Sequence, residues 1–570
     1  MRKPHSRSVL LKSFLVWPWV VIVPLVSTSL LAEDNPVSSL PSTTDTAPKP
    51  QKSVEIQGTQ EVSPEVKKIL DTELVPAKIA INGARAIPFE EVGTYFNGFV
   101  NKKIKVADLI QACNQVTKLY QDRGFPLSFC FMPAQTFKDG NVQVMVVEGY
   151  ISSIVITGNP DKTENKIRQI AAPLIEEKPL TKKTLERYTG LLAQIPGLTV
   201  QASLPVPKKI DGSTELTLDV SRKAIGLSGR IEALEPTARA IITARASGNT
   251  SLAEDVTFST LLSERDEEYY ALGYSMPIGR NGMQLAFDAS HYNGNPQDSN
   301  NLPGVERDVS SLRLSTTLSY PLMVKRGKNL VGSVGFAATN FDDVSQSSTA
   351  KLSQTTDVRA VTAGLNYTTS ALGQVRRFQL ALSRGLDSLG ADKSILLTPT
   401  NQQFDSPVKL DFTKTVFSFT QQNVFANGWG VAAMTRVQHS DDILPISERV
   451  AFGGLQFGRA FRPGRISGDS GWGVSLELNK LLPYGLQLPI YSFSRIQPFF
   501  LLESARTYNE SNGRPVDDIG AASLGLRLIS DDSSFSNIDF AVSKAIAGRD
   551  ERIDSSQDYV FTVNFALPLN

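Results

Sequence analysis

The segment FGGLQFGRAFRPGRISGDSGWG, residues 452–473, concentrates the residues of this chain whose types and spacing could do chemistry. It holds seven glycines, three arginines and one acidic residue, Asp469, in a region that otherwise alternates apolar and polar residues. Glycine lets a backbone fold back sharply, and an arginine at the tip of such a fold can form charge-assisted hydrogen bonds with a carboxylate on another surface. The pattern therefore favours a loop that is anchored by Arg459. The alternative is that Arg459 is one of several solvated loop charges.

Histidine, cysteine and charge give no sign of catalysis, metal binding or nucleic-acid binding. His291 and His439 have no accompanying nucleophile motif, and the spacing of Cys113 and Cys130 matches no zinc cluster. No nucleotide-binding loop of the form G-x-x-x-x-G-K-S/T occurs. The 58 basic and 57 acidic residues nearly cancel, so no broad positive field is available for nucleic acid. The sequence predicts a protein that is not an enzyme and that uses no metal, cofactor or nucleic acid.

The N-terminus predicts export from the cytoplasm. Four basic residues precede an apolar run that begins at Phe14, the order typical of a secretory signal, so residues 1–32 are interpreted as a signal peptide. A membrane anchor is the alternative, and Pro18 and Pro24, which interrupt the run, favour cleavage. Residues 33–75 are rich in Ser, Thr and Pro and predict a linker. A short helix is predicted within it at SPEVKKIL, with serine as N-cap and proline at the first helical position.

Two consecutive blocks, residues 76–150 and 151–223, repeat one order of predicted elements. In the first, a strand at KIAING precedes helices at PFEEVGTYFNGFV and VADLIQACNQVTKLY, where apolar residues recur at helical spacing. Strands at FPLSFCFM and NVQVMVVEG follow, separated by the turn KDGN. The second block repeats strand, helix, helix, strand, strand between SIVITGN and STELTLDVSRK. The sequence therefore predicts two copies of one α+β unit.

The two cysteines fall in the same predicted unit. Cys113 lies on the apolar face of the second predicted helix, and Cys130 lies on a strand. In an oxidising compartment they could form a disulfide, which would stabilise the unit by about 2–4 kcal/mol. Two small buried thiols are an equal alternative, because the sequence does not give the distance between their Cβ atoms.

Residues 224–570 lose helical periodicity and alternate with period two. In SLRLSTTLSYPL, Leu312, Leu314 and Leu318 share one face, and serine, threonine and arginine share the other. WGVSLELN and YVFTVNFALPL repeat this pattern. Such strands suit either a large soluble β-protein or an outer-membrane barrel. The exported N-terminus and the apolar outer face favour the barrel, which crosses a membrane without any helix.

Three quoted stretches resemble a known family. FPLSFCFMPAQTFKDGNVQVMVVEGYISSIVITGN is similar to the junction of the first and second periplasmic POTRA domains in two-partner secretion transporters of the ShlB/FhaC/HecB type. PGLTVQASLPVP followed by GSTELTLDVSRK resembles the end of the second POTRA domain of that family. Residues 452–473 resemble its conserved loop. The resemblance implies POTRA domains at 76–150 and 151–223, then a transmembrane barrel at 224–570 of about 16 antiparallel strands with an in-folded loop at 452–473.

The resemblance also implies a partner for the loop arginine. In the family this arginine pairs with an acid on the inner barrel wall, within a motif of the form PF-x-x-x-D-x-G. The matching segment IQPFFLLESARTY places Glu503 at the acidic position. Asp469, ten residues from Arg459 in the same loop, is a rival partner. At the positions of the family's Val-Arg-Gly-Tyr/Phe core this chain carries Gly458, Arg459, Ala460 and Phe461.

The function implied by the resemblance is two-partner secretion. A pore in the outer membrane of a Gram-negative bacterium, with its POTRA domains in the periplasm, would recognise an unfolded exoprotein and pass it outward without ATP. The implied partners are a large exoprotein with an N-terminal secretion domain, the outer-membrane lipids, and the barrel assembly machinery, which reads an aromatic residue near the C-terminus, here Phe565. The alternative function is an assembly factor that inserts other barrels, like BamA.

Overall fold

Two small α+β units precede one closed barrel in the computed structural model of this chain. The structure describes residues 55–57, 70–137, 140–207, 209–234, 237–263, 266–295, 306–348, 350–398, 400–454, 457–487, 492–510, 515–530, 537–548 and 559–567. The predicted signal peptide and nearly all of the predicted helix SPEVKKIL lie outside the described residues.

The predicted linker contains two short strands. These are β1 (Glu55–Gln57) and β2 (Glu73–Leu74). The three residues of β1 pair in parallel with residues 203–205, and Ile56 lies opposite Leu204. Composition alone predicted a segment without such order. The structure differs because an exposed sheet edge offers unpaired backbone groups, which can order a short segment whatever its side chains are.

The first α+β unit contains the first predicted repeat. Its remaining elements are β3 (Lys78–Asn82), α1 (Phe89–Gly93), a 3-10 turn (Asn97–Phe99), β4 (Ile104–Lys105), α2 (Val106–Asp122), β5 (Phe129–Phe131) and β6 (Asn141–Val147). The sheet order is β3-β6-β5, with β3 and β6 parallel. The helix α2 buries Val106, Leu109 and Tyr120 in the core of this unit. The first helix is shorter than predicted, because Gly93 and Gly98 are poor helix formers.

The second α+β unit repeats the order of the first. Its elements are β7 (Tyr150–Gly158), a 3-10 turn (Asp161–Thr163), α3 (Glu164–Ala171), α4 (Pro173–Glu176), α5 (Lys182–Leu192), β8 (Leu198–Pro205) and β9 (Ser213–Arg222). The sheet order is β1-β8-β9-β7, so β1 covers the edge strand β8. The Thr181 hydroxyl caps α5 by accepting the N–H of Thr184. The core includes Ile167, Leu192 and Leu218.

A barrel of 16 antiparallel strands forms the rest of the described chain. Its first nine strands are β10 (Ile225–Leu234), β11 (Thr237–Ser247), β12 (Asp255–Ser263), β13 (Glu267–Ile278), β14 (Met283–Gly294), β15 (Glu306–Lys325), β16 (Lys328–Gln346), β17 (Lys351–Ala371) and β18 (Gln374–Gly385). A hairpin of β19 (Asp392–Thr398) and β20 (Gln402–Phe404) adds to β17 outside this count.

The last seven barrel strands include the one that closes the sheet. These and the short strands between them are β21 (Thr413–Val424), β22 (Trp429–His439), β23 (Val450–Phe452), β24 (Ile466–Gly468), β25 (Ser470–Lys480), β26 (Leu486–Gln487), β27 (Ser492–Phe493), β28 (Arg495–Tyr508), β29 (Pro515–Ile529), β30 (Asn537–Ala547) and β31 (Tyr559–Leu567). The pairs β23–β24 and β26–β27 are two small separate sheets. The barrel closes where β31 pairs with β10, from Leu227 opposite Leu567 to Ala233 opposite Phe561.

The two faces of the barrel strands differ as an outer-membrane barrel requires. On β15, Leu312, Leu314 and Leu318 expose 44%, 51% and 44% of their surface on the outside, and Ser311 is buried towards the lumen. Apolar residues outside and polar residues inside suit a barrel surrounded by lipid, whereas a soluble β-protein would bury its apolar face. Among the described residues, no helix is long and apolar enough to cross a membrane.

The second α+β unit rests on three turns at one end of the barrel. The Arg187 guanidinium donates to the backbone oxygens of Pro321 and Asn281, each at 3.1 Å. Lys166 Nζ donates to the oxygen of Gly279 at 3.2 Å, and burial lowers the pKa of this lysine. Ala253, just before β12, and Val324, at the end of β15, belong to the unit's own hydrophobic core. The contact is therefore a continuous packed interface, and it fixes the unit at the mouth of the barrel.

Candidate functional site

The in-folded loop leaves the barrel wall after β22 and returns at β25, so it spans residues 440–469. Its first limb contains a 3-10 turn at Ile446–Glu448, and β23 and β24 form an antiparallel hairpin. The sequence predicted the loop at 452–473. The structure places Trp472 and Gly473 in β25, because the alternating pattern of WGVSLELN begins there and makes these residues part of the wall.

The tip of the loop packs as a small hydrophobic core inside the barrel. Phe452, Phe457 and Phe461 are buried, together with Ala505 and Ala521 of the wall. The rings of Phe452 and Phe457 meet edge to face, with centroids 5.5 Å apart. Small side chains on the inner wall leave the space that these rings fill.

Two glycines permit this close approach. A Cβ at Gly473 of the wall would lie 2.6 Å from Cγ of Phe457. A Cβ at Gly458 of the loop would lie 2.7 Å from Cδ1 of Ile519, and its φ of +150° also favours glycine. The glycine content of the predicted loop therefore has a steric cause at these two positions.

The Glu503 carboxylate holds the loop tip through backbone groups. Its Oε2 accepts the N–H of Arg459 at 2.9 Å, and its Oε1 accepts the N–H of Phe457 at 3.2 Å. Only 4% of the Glu503 surface is exposed. The sequence predicted a pair between this carboxylate and the Arg459 guanidinium. Among the described contacts, the group of Arg459 that meets this carboxylate is its backbone N–H.

The Arg459 side chain reaches another part of the wall. Its guanidinium carbon lies 5.8 Å from the ring centre of Phe499, and that of Arg527 lies 5.0 Å from the same ring. Arg527 is in turn paired with Glu477 at 3.3 Å and with Asp539 at 3.2 Å. Nε and Nη1 of Arg459 have no hydrogen-bond acceptor in the described part of the chain.

The rival acid, Asp469, has another partner. Its carboxylate accepts the N–H groups of Leu444 and Glu510, each at 2.9 Å. Nε of Arg449 lies 3.2 Å from the same carboxylate. Asp469 is fully buried and joins the two limbs of the loop at its base. It therefore shapes the loop and does not bind Arg459.

A second connecting segment, just before β21, touches the base of the loop. Leu444 packs with Phe412 in a small hydrophobic cluster. Nζ of Lys409 donates to the Asp442 carboxylate at 2.7 Å. This hydrogen bond is the main cause that lowers the pKa of Asp442 and raises the pKa of Lys409. The contact is therefore formed at neutral pH, and it weakens when pH falls through the depressed pKa of Asp442 or rises through the raised pKa of Lys409.

Sequence reasoning missed Arg449, Phe499 and the backbone donors of the tip. Phe499 could have been found, because it lies four residues before Glu503 in IQPFFLLESARTY and period-two alternation puts both on one face. The donor role of Phe457 carried no signal, since every residue type except proline has a backbone N–H. Among the described residues, no group of three or more His, Cys, Asp or Glu is placed to hold a metal ion.

Cys113 and Cys130 form a disulfide in the first α+β unit, with Cα atoms 5.0 Å apart. The hydroxyl of Thr117 reinforces the link. It donates to the oxygen of Cys113 at 3.0 Å and accepts the N–H of Cys130 at 2.9 Å. Of the two alternatives that the sequence left open, the structure has the bridge, which ties α2 to the edge strand β5.

We expect removal of this bridge to weaken the first α+β unit alone. In the double variant Cys113→Ala and Cys130→Ala, its free energy of unfolding should fall by about 2–4 kcal/mol, because the bridge restricts the unfolded chain. Hydrogen exchange of the purified full chain, followed at the peptides of β6, measures this change. Reductant should speed exchange in the wild type and have no effect on the double variant. Equal exchange in wild type with and without reductant would contradict the prediction.

Comparisons with known proteins agree with this architecture. Residues 74–149 match the POTRA domain, ShlB-type, and residues 246–528 match the haemolysin secretion/activation protein ShlB/FhaC/HecB. The chain is 20% identical to the heme/hemopexin transporter protein HuxB of Haemophilus influenzae (strain 86-028NP), over 87% of each chain. It is 24% identical to the outer membrane transporter CdiB of Dickeya dadantii (strain 3937), over 75% of this chain and 74% of that one.

The fold is similar to that of solved CdiB structures. CdiB from Escherichia coli matches with a TM-score of 0.65 at 18% identity, over 91% of this chain and 94% of that chain. CdiB from Acinetobacter baumannii matches with a TM-score of 0.58 at 16% identity, over 90% and 94%. The chain is thus similar in fold to both CdiB proteins over most of its length.

Proposed function

Because the chain belongs to the ShlB/FhaC/HecB family of haemolysin secretion/activation proteins, we propose a route by which it exports an exoprotein. It is a two-partner secretion transporter of the outer membrane, and its POTRA domains lie in the periplasm. The proposed route has three stages, which are capture at a POTRA sheet edge, passage through the lumen, and folding of the exported chain outside the cell.

The observation that carries the route is the packed loop inside a closed barrel. β10 and β31 pair over residues 227–233, so the described wall has no gap at its seam. The lumen is instead occupied by the loop, whose tip is held by noncovalent contacts with Glu503 and the small-residue wall. A polypeptide therefore passes when the loop moves aside, and the wall stays intact.

Capture is proposed to occur by strand addition at the POTRA edges. An exposed edge strand presents unpaired backbone groups, to which an unfolded chain can add a strand. The second POTRA sheet supports this step, because its edge strand β8 already accepts β1 from the same chain. In the first POTRA sheet the edge strands are β3 and β5. The partner that fits is a large exoprotein that arrives unfolded and carries an N-terminal secretion domain.

The energy for export is proposed to come from the exoprotein itself. The periplasm holds no ATP, and folding of a β-rich chain outside the cell would prevent its return.

The remaining proposed partners, the lipids and the barrel assembly machinery, contact the barrel. Lipids contact its outer face, where Nζ of Lys480 lies 5.1 Å from the ring centre of Trp429, a pairing suited to the membrane interface. The barrel assembly machinery would read the aromatic residues near the C-terminus, including Phe565.

Deletion of the gene tests the proposed function in the native host. We expect one large protein to disappear from the culture medium and to return with the wild-type gene. With Arg459→Ala we expect it to return only in part, at equal abundance of the barrel, because this variant loses the contact with Phe499 but keeps the N–H bond to Glu503. Gel analysis of the medium and of the outer membrane measures both. A joint decline of many outer-membrane proteins, with no single secreted protein lost, would instead indicate an assembly factor.

A further inference from the structure

A second charged contact joins the loop to the barrel wall, away from the tip. Glu448 ends the 3-10 turn on the limb that leads into the lumen. Its Oε2 lies 2.5 Å from Nζ of Lys414 on β21, and its Oε1 lies 3.9 Å from Nη1 of Arg313 on β15. Nζ of Lys414 also donates to the backbone oxygen of Glu448 at 3.0 Å, as does Nε2 of Gln438 on β22. The turn is thus held by three strands.

This contact is shielded from water on both sides. The side chains of Lys414 and Glu448 expose 9% and 6% of their surface. A buried charge whose partner is removed loses its compensation and is strongly disfavoured, unlike an exposed one. The contact exists only while the loop lies inside the barrel, since Glu448 belongs to the loop and Lys414 to the wall. Its energy therefore favours the closed state specifically.

The Glu448 contact differs from the contact at the tip in which side supplies the negative charge and in its position on the wall. At the tip the loop donates hydrogen bonds and the wall accepts them through Glu503. At Glu448 the loop supplies the acid, and the wall supplies the cations. Ile446, in the same turn, packs against the inner cluster that includes Phe341 of β16, which is six strands from β28 in the sixteen-stranded barrel. The loop therefore bridges the lumen between two facing walls.

We propose that Glu448 and Lys414 form a second latch, which holds the loop in the lumen independently of its tip and must open before a polypeptide passes. Only the statement that the latch must open before a polypeptide passes rests on the proposed function. The holding role concerns the resting barrel and is measured without any exoprotein. Failure of the latch and failure of the secretion function are therefore distinguishable.

Ion conductance of the purified full chain in planar lipid bilayers tests the latch. We expect Glu448→Gln and Lys414→Met each to raise the mean conductance by at least about tenfold, because each removes the close charge partner of a buried group, and of the described ion pairs of Glu448 only that with Arg313, at 3.9 Å, remains after Lys414→Met. The double variant should conduct no more than the more open single variant, since the interaction is already lost. A shift in gel migration between unheated and boiled protein confirms that each barrel is folded.

The control is another pair of an acidic and a basic residue, which faces outward. Asp518 and Arg506 pair at 3.6 Å on the outer face, and Asp518→Asn should leave the conductance unchanged. Folded single variants that both conduct like wild type would overturn the latch, and so would a double variant whose effect equals the sum of the two singles. If Lys414→Met does not fold, Glu448→Gln compared with Asp518→Asn decides. If the latch variants conduct strongly while the deletion strain loses no secreted protein, the latch stands and the secretion function falls.

Discussion

Replacement of Glu503 by alanine should release the loop tip and open the pore. The substitution removes the acceptor of two buried backbone N–H groups, those of Phe457 and Arg459. A hydrogen bond to a charged group contributes about 1.5–3 kcal/mol, so the closed state should lose about 3 kcal/mol or more. The population with the tip displaced should rise by about a hundredfold. Because the acceptor lies on the wall, the loop itself is unchanged.

Trypsin added to intact cells reports the position of the tip. Arg459 and Arg465 precede Ala460 and Ile466, so both bonds become cleavable when the loop leaves the lumen, whereas the bond after Arg462 precedes proline and resists. We expect rapid cleavage in Glu503→Ala and slow cleavage in wild type.

Two further variants serve as comparisons for Glu503→Ala. Glu503→Gln keeps one acceptor oxygen and should lie between wild type and Glu503→Ala. Glu268→Ala, at an exposed outward position of β13, should behave like wild type. Equal cleavage in Glu503→Ala and wild type, with both barrels folded, would mean that the aromatic cluster holds the tip without the carboxylate.

Replacement of Gly473 by leucine should expel the tip by steric force. A Cβ at this position would lie 2.6 Å from Cγ of Phe457 and 2.9 Å from Cε1 of Phe452, distances that no side chain tolerates without movement. The barrel strand itself should remain, because leucine is compatible with a strand and the backbone pairs of Gly473 with Arg436 and Ala505 are unchanged. The rings of the loop must therefore move.

Trypsin cleavage on cells should report this change. We expect Gly473→Leu to make the loop sensitive to trypsin, since overpacking of a tight core costs about 1–3 kcal/mol. Gly226→Leu on β10 is the matched control, because a Cβ there meets nothing within 4 Å. A folded Gly473→Leu barrel with a protected loop would show that the wall yields instead.

Local patterns in the sequence were sufficient for the two α+β units and for the alternating strands that follow them. The repeated order of strands and helices predicted both α+β units, and the alternation in SLRLSTTLSYPL predicted which side chains of β15 face lipid. These predictions succeed because helix and strand periodicities are properties of neighbouring residues. The resemblance to the family then identified the loop and Glu503, which the structure brings together.

Partners that are distant in sequence were decided only by the tertiary structure. Glu503 accepts backbone N–H groups, Asp469 pairs with Arg449, and Glu448 pairs with Lys414. The sequence shows only that these acidic and basic residues are present. The strand β1 inside the predicted linker has the same origin, because its order comes from the edge of β8 and not from its own composition. The sequence gives no signal for a backbone N–H donor, because every residue type except proline has one. Which charged groups meet depends on how the barrel closes around the loop. The sequence by itself therefore determined the elements and their faces, and the closed barrel determined which groups hold the loop in the lumen.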